Sequence, residues 1–359
     1  MGNPDLSPPE RPAPPILLNR RAATRPTITG VERWTAEIIP RLRALDPERY
    51  EVVQPRPRLQ RRAAAQAWEQ LLLPARAAQR GAALIFSPAN LAPLAWPRNV
   101  LVVHDVAVLR EAAAYSAPYR AWHRYLGLAA ARRALKVITV SDFSRGELID
   151  LAGIRPDRLA VVAGGVSPDF CLQSDAEIAR VRTKLGLSAA PYVLTLATED
   201  QRKNLSALDE TAAMLRERGI ELVRAGDVRS YFSPDPQAAG IRSLGYVEDG
   251  DLPALYAGAR AFVLPSRYEG FGLPCLEAMA TGTPVVAANR AALPETCGEA
   301  ALLIDPDDQF ALARAVSAAA GQEELRDRLR DAGLRRAALF TWERAARAAH
   351  DLLRGLSPG

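Results

Sequence analysis

Cysteine is scarce. Cys171, Cys275 and Cys297 are too few and too scattered to frame disulfides or a zinc site, so a reduced, cytosolic chain is expected. Long apolar runs are missing too. None reaches the roughly 18 residues that span a bilayer. The opening stretch MGNPDLSPPERPAPP is rich in proline and has no apolar h-region. That argues against a signal peptide and predicts a disordered tail over residues 1–14. A G-x-G-x-x-G fingerprint is absent. Gly30 stands alone in TITGVERW (27–34), after the first strand pattern and at the start of the first helix pattern. A dinucleotide dehydrogenase loses support for that reason. No short repeat is present.

What remains is a chain of 359 residues with ordinary apolar and charged content, long enough for two domains that each bury a core. The net charge of +5 is uneven. Residues 1–175 carry 24 Lys/Arg against 16 Asp/Glu, whereas residues 176–359 carry 22 against 25. A basic first half fits an anionic partner such as a membrane surface or a phosphorylated lipid. Arginine enrichment across the whole chain accounts equally well for the total and less well for the asymmetry.

Short apolar runs alternate with helical patterns. In the first half the runs are PILLN (15–19), EVV (51–53), ALIFS (83–87), NVLVVHD (99–105), KVITVS (136–141) and LAVVAGG (159–165). In the second half they are YVLTLA (192–197), ELVRAG (221–226), a short one near 243–246, AFVLPS (261–266), TPVVAA (283–288) and ALLID (301–305). Helices are expected near 30–45, 62–80, 118–134 and 142–152, and from about 307 to the end. Such alternation implies parallel sheets covered on both faces. The pattern runs twice, with a break near 167–178. The last helix, FTWERAARAAHDLLRGL (340–356), has Thr341 as its N-cap candidate and an apolar face of Trp342, Ala345, Ala346, Ala349, Leu352 and Leu353. A face this late must dock on something already folded.

Open parallel sheets bind ligands beyond the C-terminal ends of their strands. After AFVLPS come Glu269, the turn Gly270-Phe271-Gly272 and a helix opening at Leu273-Pro274, with Glu277 about one turn in. Glycines admit a ligand close to the backbone, and a helix N-terminus suits a diphosphate. The two carboxylates then suit sugar and ribose hydroxyls. A strand–turn–helix with surface glutamates is the alternative. QRKNL (201–205) follows YVLTLA. Arg202 and Lys203 there could neutralise a leaving diphosphate, or be a solvated pair, and Asn204 is a possible helix cap. His104 and Asp105 end a strong strand, where a histidine meets a substrate hydroxyl or serves structure. His123 and His350 read as structural. Ser141 reads as a plain N-cap. Gly164 and Gly165 either line a cleft or permit a hinge. DPDD (305–308) reads as a cap rather than a metal site. RPRLQRRAAAQAWEQLLLPARAAQR (56–80) carries six arginines and one glutamate, with Trp68, Leu71, Leu72 and Ala75 on one helical face. That face packs on the sheet or meets a membrane.

Taken together, these motifs resemble the family 4 retaining glycosyltransferases of the GT-B fold, over nearly the whole chain from about residue 15. The most specific part is residues 245–308, where Glu269, seven residues and Glu277 match the family's paired glutamates around EGFGLP. VITVSDFSRGEL and TLATEDQRKNL match as well. Ala197, where many members have glycine, and Ala163-Gly164-Gly165 depart from the pattern. The resemblance implies an α/β chain of two Rossmann-like, doubly wound domains facing across a cleft. An acceptor domain would span 15–170 and a nucleotide-sugar domain 171–339, with a helix at 340–359 crossing back. It further implies that Glu269 contacts donor sugar hydroxyls, that Phe271, Gly272 and the adjoining Gly270 and Leu273 lie by sugar and diphosphate, and that Glu277 binds the ribose. Arg202 and Lys203 would hold the diphosphate, Gly30 would lie by the phosphates and acceptor, and His104 would sit beside the donor sugar.

The expected activity is metal-independent, retaining transfer of a hexose from GDP-mannose or UDP-glucose, used as co-substrate with no cofactor. The expected acceptor is a hydroxyl of a glycan or polyprenyl-linked sugar in surface polysaccharide or glycolipid synthesis. It would take place in the cytoplasm, at the inner membrane face if the acceptor is lipid-linked, with the basic first domain as the contact and without nucleic acid. A nucleotide-sugar epimerase, a phosphorylase or a non-catalytic nucleotide-sugar-binding protein of the same fold are the alternatives.

Overall fold

Each half of the chain builds a six-stranded, all-parallel sheet. The computed structural model describes residues 13–24, 30–187, 190–197, 200–226 and 240–357. The first sheet takes Ile16–Asn19 (β1), Tyr50–Val53 (β2), Leu84–Ser87 (β3), Asn99–Val102 (β4), Lys136–Thr139 (β5) and Leu159–Val161 (β6), in the order β2-β1-β3-β4-β5-β6. The second takes Tyr192–Leu196 (β7), Glu221–Ala225 (β8), Ile241–Ser243 (β9), Ala261–Leu264 (β10), Val285–Ala288 (β11) and Ala301–Ile304 (β12), in the order β12-β11-β10-β7-β8-β9. Parallel neighbours need crossovers, and crossover helices cover both faces. Hence the central strands are apolar without alternation: β1, β3, β4, β10 and β11 are buried at every position.

The twelve strands expected from the sequence are all present, and several end earlier than their apolar runs. β4 stops at Val102, so His104 and Asp105 stand beyond it, and β5 stops at Thr139. The ladder ends where the chain turns towards the space between the sheets. β9 lies slightly upstream of the position expected for it. The expected tail lies, but for residues 13 and 14, outside the described residues, as do residues 27–29 of TITGVERW.

The helix expected over 62–80 is interrupted. It runs Arg62–Ala67, opens into a π turn over Trp68–Leu72 and resumes at Leu73–Gln79. Pro74 has no N–H to give, and its ring crowds the preceding turn, so wider i→i+5 bonding replaces the regular ladder there. The extra residue splits the expected apolar face. Trp68, Leu73 and Ala77 point inward, while Leu71, Leu72 and Ala75 are exposed. The expected helix over 118–134 has a π turn as well, at His123–Gly127.

The last helix, Trp342–Leu356, crosses back. Trp342, Ala345, Ala346, Ala349 and Leu353 join Trp34, Ile38 and Leu42 of helix Gly30–Leu45 in one buried cluster on the first sheet. Thr341 caps it, its hydroxyl accepting from the Arg344 N–H at 3.2 Å. Gly165 makes this crossing possible. A Cβ on Gly165 would lie 2.2 Å from the Trp342 nitrogen and 2.4 Å from the Thr341 carbonyl carbon.

Candidate active site

Glu269 follows β10 and is buried. One carboxylate oxygen accepts from the Lys203 ammonium at 2.7 Å, and the other lies 3.8 Å from the Arg202 guanidinium. Burial works against the Glu269 charge, but Lys203 and Arg202 outweigh it and hold the carboxyl below its ordinary value. Both cations sit in a 3-10 turn, Gln201–Lys203, beyond the end of β7. Asp200 fixes that turn. One of its oxygens accepts the Arg202 backbone N–H at 2.9 Å, and the other accepts Nε and Nη2 at 3.2 and 3.0 Å. Arg202 Nη1 reaches the Tyr268 carbonyl at 3.1 Å, and the Arg267 N–H reaches the Arg202 carbonyl at 2.9 Å. The two strand-end loops are therefore stitched together, with a carboxylate and two cations at the seam.

The glycine turn faces the other sheet at close range. A Cβ on Gly270 would lie 2.4 Å from the His104 carbonyl oxygen. The Gly270 carbonyl accepts from the hydroxyls of Ser141 at 2.6 Å and Ser144 at 3.0 Å. Ser141 also caps its own helix, accepting from the Ser144 N–H at 3.0 Å, so it is more than the plain cap expected. Gly272 has φ of +98°, and a Cβ there would meet Leu293 at 2.6 Å. A positive φ and a tight neighbour both call for glycine. The helix Leu273–Ala280 begins directly after it, with Pro274 in its first turn. His104 donates Nε2–H to the Pro88 carbonyl at 2.8 Å, because a carbonyl can only accept, so its Nδ1 carries the lone pair. Burial pushes this imidazole's pKa down and so favours the neutral ring.

Glu277, on the helix, is buried as well. One oxygen accepts from the Arg33 guanidinium at 2.9 Å and the other from the Tyr256 hydroxyl at 3.2 Å. Arg33 belongs to helix Gly30–Leu45 of the opposite sheet. Its second Nη reaches Asp249 at 3.0 Å, and the guanidinium lies over the Phe170 ring. Burial pushes the Glu277 carboxyl up, and Arg33 and Tyr256 offset that only in part.

Glu269, Arg202 and Lys203 thus come together, and Gly270, Phe271, Gly272, Leu273 and Glu277 continue from them along one turn and helix. His104 faces Gly270 from the other side, and Gly30 opens helix Gly30–Leu45. Asn204 is not the side-chain cap expected. It holds φ of +54°, and its amide donates to the Pro265 and Pro306 carbonyls at 3.2 and 3.0 Å, tying two loops. In DPDD, Asp308 caps the following helix by accepting from Ala311 N–H at 2.8 Å, and Asp307 pairs with Arg267 and Arg290. His350 bonds the Tyr50 hydroxyl at 2.9 Å. Sequence reasoning missed Asp200, Tyr256, Asp249 and Arg33. Asp200 had a signal, an N-cap residue directly before Gln201. Arg33 lay inside TITGVERW with nothing to mark its reach, and Tyr256 and Asp249 had no signal.

Two doubly wound sheets with facing strand ends define the GT-B fold. The crystal structure of Anabaena Alr3699/HepE in complex with UDP-glucose is similar in fold, with a TM-score of 0.71 at 20% identity, covering 95% of this chain and 99% of that one. In sequence, the family model "Glycosyltransferase Family 4" matches residues 31–170 and "Glycosyl transferases group 1" matches residues 190–322. The chain belongs to this glycosyltransferase family. Among its relatives, the O-antigen chain mannosyltransferase B of Escherichia coli is 39% identical over 58% of this chain and 57% of its own length. The MMP alpha-(1->4)-mannosyltransferase of Mycolicibacterium hassiacum is 30% identical over 72% of this chain and 65% of its own. The chain spans less than two thirds of the length of either relative.

Proposed function

We propose that this protein transfers a hexose, with retention, from a nucleotide diphosphate sugar to a hydroxyl of a glycan or lipid-linked acceptor. The observation that carries the reading is the buried Glu269 carboxylate held by Lys203 and Arg202 beside a glycine turn and helix N-terminus. Mannose is favoured as the sugar, because the relatives named above are mannosyltransferases. GDP-mannose is then the first donor to test, and UDP-glucose the second.

In this reading Glu269 accepts hydrogen bonds from donor sugar hydroxyls, and Glu277 accepts them from the ribose diol. Arg202, Lys203 and the N–H groups around Phe271, Gly272 and Leu273 hold the diphosphate, with Gly30 approaching it from the other domain. Their charge stabilises the leaving phosphate without a metal and is the main catalytic contribution. His104 accepts a sugar hydroxyl at Nδ1. A carboxylate already tied to two cations is a poor nucleophile, so attack on the same face is preferred to double displacement. The anomeric C–O bond to the phosphate breaks as the acceptor oxygen bonds that carbon, and the departing phosphate oxygen takes the acceptor proton. Contact between Gly270 and His104 excludes water from the reacting face. The exposed Leu71 and Leu72, set among arginines, support peripheral contact with an anionic membrane that carries the acceptor.

The test supplies GDP-mannose or UDP-glucose with glycan and polyprenyl acceptors. Glu269→Ala and Lys203→Ala are expected to lose transfer by roughly a hundredfold or more while the protein stays folded. Wild-type-like turnover in either variant overturns the site. Epimerised nucleotide sugar formed without acceptor points to the epimerase. Tight donor binding with no turnover across the acceptor panel points to a binding protein.

A further inference from the structure

Arg33 is a side chain from the opposite domain that reaches the Glu277 carboxylate. It is largely buried, its guanidinium spends one Nη on Glu277 and the other on Asp249, and Phe170 of the segment joining the two sheets lies against its face. Both protein partners of the fork belong to the second half of the chain, while Arg33 is anchored in helix Gly30–Leu45 of the first. Glu277 has about four acceptor directions. Arg33 takes one on one oxygen and Tyr256 one on the other. These two bonds leave acceptor capacity on the carboxylate, so Arg33 and a ribose diol can share it. A planar fork held at both ends also fixes the rotation of the Glu277 carboxylate in a way a lysine point charge would not.

We propose that Arg33 is a positioning residue for the nucleotide. It is supplied by the acceptor-side domain and orients Glu277 towards the ribose hydroxyls, so that cleft closure and nucleotide binding favour each other. The inference rests on the reading of Glu277 as the ribose-binding group and goes beyond it, because it makes that site incomplete until the two domains meet. The coupling is reciprocal: whatever closure adds to nucleotide affinity, the nucleotide adds to closure.

The test measures binding of GDP and of 2′,3′-dideoxy-GDP to the full chain, with UDP and its dideoxy analogue in parallel. Wild type is expected to prefer the ribonucleotide by roughly ten- to a hundredfold, the weight of hydrogen bonds to a charged group. Arg33→Ala is expected to erase most of that preference while leaving dideoxy binding nearly unchanged. Arg33→Lys is expected to restore only part of it. Asp249→Asn loosens the other end of the fork at a half-exposed position and gives an intermediate ratio with an unchanged melting temperature, even if Arg33→Ala folds poorly. A wild-type preference kept in full by Arg33→Ala, or by Asp249→Asn where Arg33→Ala does not fold, overturns the proposal. A wild type that does not distinguish the two nucleotides overturns the ribose role of Glu277 first, and this inference with it.

Discussion

Glu269 and Glu277 lie eight residues apart, and both are buried, yet their carboxyls are driven in opposite directions. Glu269 has two cations against burial and is held down, whereas Glu277 shares one guanidinium with Asp249 and is pushed up. The first difference has a consequence for stability. A carboxyl depressed in the folded state contributes stability above its ordinary value of 4.5, and that stability is lost as pH falls through its lower folded-state value. In Lys203→Met the buried carboxylate keeps only the more distant Arg202. The variant should lose about 3 kcal/mol at pH 7, the lower end for breaking one side of a buried pair. The gap to wild type should narrow steadily in denaturant titrations taken from pH 5 down to pH 3. A gap that stays constant with pH would mean that Lys203 acts through packing alone.

At the scale of elements, the apolar runs of the sequence mapped onto strands because parallel strands covered on both faces have no polar side to conceal them. Thr341, Ser141 and Asp308 were legible as caps because capping chemistry is local. Pro74 was visible, but the π turn before it was not, and one extra residue moved Leu71 and Leu72 from the inner face to the outer. The site was legible where a motif lies in one stretch, as from Glu269 to Glu277. It was not legible where the partner comes from the other domain, as with Arg33, or from a remote loop, as with Asp249. The role of Gly165 also becomes clear only in three dimensions. Its missing Cβ lets the backbone at Thr341 and Trp342 pass within contact distance and dock the last helix. Gly165→Ala should displace that helix, because the colliding atoms are backbone and cannot rotate away. Trp342→Ala should cost about 3–5 kcal/mol, as expected for removing a large buried ring. Urea unfolding of each variant checks both. A near-wild-type Gly165→Ala would show that the crossing can shift without cost.

For the whole molecule, the question is what holds the two sheets face to face. The Gly270 carbonyl between two serines and the Arg33 fork contribute, Tyr268 packs among Ala107, Ala114 and Tyr115 of the first half, and a further contact is polar. Glu295 of the second half places its two carboxylate oxygens on the N–H groups of Asp142 and Phe143, at 2.9 and 3.0 Å. These are free N–H groups of the first turn of helix Asp142–Asp150 in the first half. A carboxylate there satisfies orphan donors and sits at the positive end of the helix dipole. Such a cap is worth about 1 kcal/mol. It spans the two halves, so its energy favours the arrangement in which they meet rather than the fold of either half. Glu295→Ala should therefore leave the melting temperature nearly unchanged and shift the open-to-closed ratio about fivefold towards open. Small-angle scattering would read this as a larger radius of gyration. If closure is what excludes water, the same variant should hydrolyse more nucleotide sugar per sugar transferred. A variant that opens without raising hydrolysis would separate the two roles and leave water exclusion to the local contact of Gly270 with His104.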